Sequence, residues 1–112
     1  MTAQTIRLNG QTTALTLTAS ASSATLIKPS VNCQNSYVSL LNIGGGKAAI
    51  ELSQSSSLAD PTIASSGTAG SFVLPPNMIN PILVACPQNN FYIKAIGDST
   101  GSTLFITPAA FA

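Results

Sequence analysis

The sequence has no histidine and no tryptophan, and it is poor in charge. Four Lys and Arg stand against three Asp and Glu in 112 residues, 6% of the chain, where about a quarter is usual. Each shortage removes a class of function. Without histidine no Ser/His or Cys/His nucleophilic pair exists. A paired-carboxylate site needs two acids about 5 to 10 Å apart, and Glu51, Asp60 and Asp98 fall in three different segments. Serines are so numerous that no Ser/Lys pairing stands out. Arg7, Lys28, Lys47 and Lys94 are scattered and make no basic stripe of the kind that tracks nucleic acid. No run approaches the roughly 18 apolar residues of a membrane span. The two cysteines, Cys33 and Cys86, lack a second Cys/His pair, which excludes a closed structural zinc site. The expectation is a protein that is not an enzyme, with no cofactor and no metal, and with neither nucleic acid nor membrane as partner.

What is present is an ordinary apolar share, 45%, and a polar surface built from Ser, Thr, Asn and Gln. A net charge of +1 supplies no steering field and little colloidal repulsion, and a surface of that kind favours association. The length suits one domain over residues 1–112 with a modest core. The opening "MTAQTIRLNGQTTALTLTASASSA" has a single Arg7 as its positive region and no unbroken apolar run of about seven residues, so it does not read as an export signal. Synthesis and residence in the cytoplasm, or in a particle assembled there, is the expectation. Cys33 and Cys86 are then expected as reduced thiols. The alternative is one bridge between the sheets of an Ig-like sandwich, although the tryptophan that usually packs on it is missing.

Helical periodicity is almost absent and period-2 alternation recurs. Ile6 and Leu8 alternate with Thr5, Arg7 and Asn9; Leu15, Leu17 and Ala19 alternate with Thr16 and Thr18. "ATLIK" reads as a strand stopped by Pro29. "SYVSLLNI", Ser36 to Ile43, is apolar on both faces, as a central strand is. "KAAIELS" sets Ala48, Ile50 and Leu52 on one face and Lys47, Ala49, Glu51 and Ser53 on an exposed one. Residues 54–70 read as a long surface loop, with room for a short strand or turn. Four apolar runs follow, "SFVLPP", "PILVA", "NFYIKAIG" and "STLFITP". Eight or nine short antiparallel strands with frequent turn signals predict an all-β protein. The expected form is a single β-sandwich of jelly-roll or Ig-like type, with a small barrel as the alternative. The first ten residues are expected as an arm hinged at "NGQTT".

The run Gly44-Gly45-Gly46-Lys47 invites comparison with a phosphate loop. That motif needs Gly at position 41 and Ser or Thr at position 48, where this chain has Leu41 and Ala48. A strand follows rather than a helix, so no helix N-terminus faces a phosphate. The glycines are expected to form a hairpin turn, with Lys47 an exposed residue beside it. "GDSTGS", Gly97 to Ser102, predicts a second hairpin. Asp60 before Pro61 reads as a turn starter, and Asp98 as a turn residue. Of the aromatics, Tyr37, Phe72, Phe91, Tyr92 and Phe105 are expected in the core rather than as a sugar-stacking platform. Phe111, beyond the last strand in "PAAFA", is expected to dock on a neighbouring chain.

The strand-and-turn succession "SYVSLLNIGGG", "FVLPPN" and "FYIKAIGDSTGSTLFITPA" resembles small virion proteins of tailed bacteriophages, in particular capsid decoration (cement) proteins of β-sandwich fold. The likeness covers Ser36 to Ala109. The ending "AAFA" departs from the Gly-rich tails of such chains. The resemblance implies a homotrimer without chemistry of its own, seated on the capsid surface of the virion and bound to the major capsid protein so that neighbouring capsomers are stapled. "TIRLN" would then add a strand to a neighbouring sheet edge, with Ile6 and Leu8 as apolar contacts and Arg7 as the charge, or else complete its own sandwich. Other readings are a head–tail, tail or fibre subunit, or a carbohydrate-binding or pilin-like module.

Overall fold

The computed structural model describes residues 6–8, 10–28, 36–85 and 91–111. Cys33 and Cys86 lie outside them, as do residues 1–5 of the expected arm.

Nine strands and no helix occur among the described residues: β1 (Ile6–Leu8), β2 (Thr13–Leu17), β3 (Thr25–Ile27), β4 (Ser36–Ile43), β5 (Ala48–Ser53), β6 (Phe72–Leu74), β7 (Ile82–Ala85), β8 (Phe91–Gly97) and β9 (Ser102–Phe111). One sheet, sheet A, has the order β1-β9-β4-β7, with β2 also paired to β9; the other, sheet B, runs β3-β8-β5-β6. All pairs are antiparallel. The expected β-sandwich is therefore observed, and period-2 alternation fills it. Val38, Leu40, Leu104 and Ile106 from sheet A meet Ile27, Ile50, Leu74, Phe91 and Ile93 from sheet B in one core. Strand β8 alternates between fully buried and half-buried positions along its whole length, as a strand with one face on a core does.

The connections correct two expectations. The glycine run joins β4 to β5, and "GDSTGS" joins β8 to β9, yet neither strand pair is hydrogen-bonded. Each turn is an arch that carries the chain from one sheet to the other. The links from β2 to β3 and from β6 to β7 also cross between sheets. The sandwich is thus a row of crossings, and its strands pair with sequence-distant neighbours.

Residues 6–8 of the expected arm pair with the end of the chain's own β9, Ile6 opposite Phe111 and Leu8 opposite Ala109. Strand β2 continues along the same edge in a register shifted by two residues. The slip falls opposite Thr107 and Pro108. Proline has no N–H to give a ladder, and a bulge placed opposite it leaves no partner waiting there.

Candidate functional site

The two arches lie against each other and share one carboxylate. Asp98 accepts the Lys47 N–H at 3.0 Å across the arches and the N–H groups of Thr100 and Gly101 within its own turn. The Gly46 N–H donates to the Gly101 carbonyl at 3.1 Å. A Cβ at Gly46 would come within 2.5 Å of Asp98 Oδ1 and 2.7 Å of the Gly101 carbonyl, so glycine there serves close approach. Only Gly44 of the run has the positive φ that favours glycine, at 120°. The hydrogen bond from Lys47 N–H, foremost among its backbone contacts, holds the Asp98 carboxyl below its ordinary value of 3.8. Lys47 itself is exposed beside β5, as the sequence implies. The glycine run is a packing device in a pair of arches.

Asn42 holds the same end from inside. Its side chain is fully buried, and Nδ2 donates to the Gly46 carbonyl at 2.9 Å and the Pro75 carbonyl at 3.0 Å. The Met78 and Asn77 N–H groups donate to the carbonyls of Asn42 and Gly44. One amide thus ties the first arch to the crossing between β6 and β7.

Asp98 stands apart from the other two acids, while Glu51 and Asp60 both lie beside Lys94. No cluster of three metal-ligating side chains occurs among the described residues. Glu51 accepts the Ser71 hydroxyl, Asp60 pairs with Lys94 at 2.9 Å, and Asp98 sits in the arches. The first two contacts show what the long loop does. Glu51 and Lys94 are cross-strand partners on β5 and β8, and the loop reaches both from outside while burying Pro61. It is a strap across the outer face of sheet B. It holds one isolated bridge, Ser65 with Thr68. Ala49, expected on an exposed face, is fully buried beneath this covered side of the sheet.

The aromatics also depart from expectation. Only Phe91 of the five is a core residue. Tyr37 and Phe105 are half-buried on the outer face of sheet A, opposite Ala109 and Leu41; Tyr92 is half-buried on the outer face of sheet B, and Phe72 is exposed at its edge. They are divided among the outer face of sheet A, the outer face of sheet B and its edge, and make no single stacking platform. Of the proposed assembly contacts, Leu8 is exposed; the backbone of Ile6, Arg7 and Phe111 lies in the β1–β9 ladder, so Phe111 is the end of the last strand rather than a residue beyond it. A cleft of about 600 Å³ lined by Gly10, Gln11, Thr13, Leu26, Lys28 and Pro108 holds one cation and no acid or nucleophile pair.

Two surfaces remain. No strap crosses the outer face of sheet A among the described residues. Its rows of Ala14, Thr16, Ser39, Leu41, Ile43, Leu83, Thr103, Phe105 and Thr107 carry no charge. The second is the flank where β6 and β7 form the edges of the two sheets. Phe72, Val73, Ile79 and Ile82 are exposed there. Sequence reasoning missed these residues as a group, although a signal was available: no charged residue occurs between Asp60 and Lys94.

The chain matches no family model, and no curated protein or solved structure is similar to it.

Proposed function

We propose that this chain is a non-enzymatic structural protein of a virus particle. In this reading it is a capsid decoration protein that binds the outer surface of a shell as a homotrimer and stabilises neighbouring units of the major capsid protein. The observation that carries the binding part of this reading is the pair of charge-free surfaces on a rigid sandwich. Both bury apolar and hydroxyl groups without the desolvation cost of ions. The resemblance of Ser36 to Ala109 to phage decoration proteins supplies the partner. The location implied is the virion surface.

The test is co-sedimentation of the purified protein with shells assembled from the major capsid protein encoded in the same genome, followed by melting of the decorated shells. The reading requires saturable binding and a raised melting temperature of the shell. A protein that stays in the supernatant at micromolar shell sites sinks it. Binding to tail or fibre preparations instead would make the chain another virion subunit. Quenching of Tyr37 or Tyr92 fluorescence by sugars would favour a carbohydrate-binding module.

A further inference from the structure

Sandwich edges are normally closed by the chain itself, and one flank of this molecule is. Leu17 on β2 and Ile27 on β3 face inward at that flank and are 3% and 2% exposed, with Leu15 beside them half-buried against the core. On the other flank, Phe72 stands opposite Ile50 and Ile82 opposite Leu40. Both partners belong to the core, so Phe72 and Ile82 face inward too. They are nevertheless 51% and 37% exposed. Beside them, Val73 is exposed on the outer side of β6, and Ile79 in the crossing is 91% exposed. Four of the large exposed apolar side chains thus fall within residues 72–82 on one side of the molecule.

We infer that the β6–β7 flank is a contact surface for a second copy of this chain. The inference rests on the reading of the protein as an assembly subunit and names the surface through which copies meet. Charge decides the partner. No charged residue lies between Asp60 and Lys94, and Glu51 beside β6 is half-buried and engaged by the Ser71 hydroxyl, so a charged partner would lose solvation on this flank with no free charge to pair with. A second copy brings a surface that is equally apolar and equally uncharged, and a net charge of +1 sets up little repulsion between approaching copies. The backbone decides the mode. Strands β6 and β7 have three and four residues. Pro75 and Pro76 follow the first and Pro81 precedes the second, which denies an incoming strand a continuous edge. Contact is therefore through side chains, with Phe72 and Val73 of one copy against Ile79 and Ile82 of the next, a head-to-tail arrangement that closes into a ring as the proposed trimer requires.

The test is solution mass by light scattering after gel filtration, from about 1 µM to about 100 µM, which brackets the dissociation constants of weak self-association. The proteins are the wild type, Val73→Asp, Ile79→Asp, and Leu8→Asp as an exposed substitution away from the flank. Far-UV circular dichroism confirms that each variant is folded. The wild type and Leu8→Asp are expected to rise with concentration from the mass of one chain to a multiple of 11.3 kDa, and both flank variants to stay at the mass of one chain. A monomeric wild type overturns the inference, as do flank variants that keep the wild-type mass. Shell co-sedimentation of the same proteins separates this inference from the proposed function. Binding of shells by a monomeric wild type upholds decoration and removes the flank contact. A monomeric wild type whose flank variants alone fail to bind assigns the flank to the shell instead.

Discussion

The two flanks of the sandwich are built from the same kind of element, a short edge strand on each sheet, and they end up in opposite states. At the β2–β3 flank the crossing chain is hydrogen-bonded along the edge of β8. The Gly97 N–H donates to the Thr18 carbonyl at 2.7 Å and the Ser22 N–H to the Ala95 carbonyl at 2.8 Å. The Ala95 N–H then donates to Ser22 Oγ at 3.0 Å before β3 takes over the ladder. At the β6–β7 flank the crossing is tied at one end only, by Asn42 and by the N–H groups of Asn77 and Met78. Away from that tie the inward-facing Phe72 and Ile82 meet solvent, while Leu74 on β6 stays buried. The difference shows that completeness of the core is local in this fold: the chain seals one side and leaves apolar surface for a partner on the other.

The contrast is broken most severely by truncating one core-facing residue on each flank. Leu17→Ala removes a fully packed side chain and should cost about 2–5 kcal/mol in urea unfolding. Ile82→Ala, whose side chain is already partly wet, should cost less than about 1.5 kcal/mol when measured at monomer concentrations. Equal losses would mean that the flanks do not differ. Next in size is Asn42→Ala. It strips the Gly46 and Pro75 carbonyls of a buried donor and should cost roughly 1–3 kcal/mol. Its signature is an accompanying rise in proteolysis at residues 75–79, and a variant cut no faster than wild type would remove Asn42 as the tie of the open flank.

A smaller effect concerns the arches that link the sheets between the flanks. The Asp98 carboxyl titrates below its unfolded value of 3.8. Its contribution is therefore complete above that value and is lost as pH falls through the lower folded value. Asp98→Asn should be less stable than wild type at pH 6, and the gap should close on acidification below about pH 4. A gap that stays constant across this range would show that the charge plays no part. The smallest effect is expected from Lys94→Met. Its partner Asp60 is largely exposed, so breaking the pair should change stability by no more than about 1 kcal/mol. A larger loss would make the strap on sheet B a structural element equal to the flanks.

Much of the fold is legible in the sequence because alternation is local. "SYVSLLNI" marks the bounds of β4, and four apolar runs mark β6 to β9. The sheet assignment of the turns is not local. A glycine-rich turn states that the chain reverses, but hairpin and arch use the same residues. Here Asp98, remote in sequence, and the bond from Asn42 to the distant Pro75 carbonyl hold the arch. Burial parity in β4 is hidden for a similar reason. Leu41 is on the outer face while Asn42 is inside, because the Asn42 amide meets carbonyls supplied by Gly46 and Pro75. The aromatics misled for a different reason. Tyr37, Tyr92 and Phe105 sit on outward positions of strands whose inward positions are already filled by Val38, Ile93, Leu104 and Ile106. The candidate contact surface on β6 and β7 was the least legible part. Its apolar residues are ordinary strand residues in sequence, and only the pairing of β6 with β5 and β7 with β4 shows them to be inward-facing and uncovered.

Amide hydrogen exchange followed by mass spectrometry at two protein concentrations, about 1 µM and about 100 µM, bears most directly on the difference between the flanks, since exchange reports opening segment by segment. The account predicts that protection of Phe72–Leu74 and Ile82–Ala85 rises with concentration while protection of Thr25–Ile27 stays the same. No change at β6 and β7, or a rise confined to the β2–β3 flank, would contradict it.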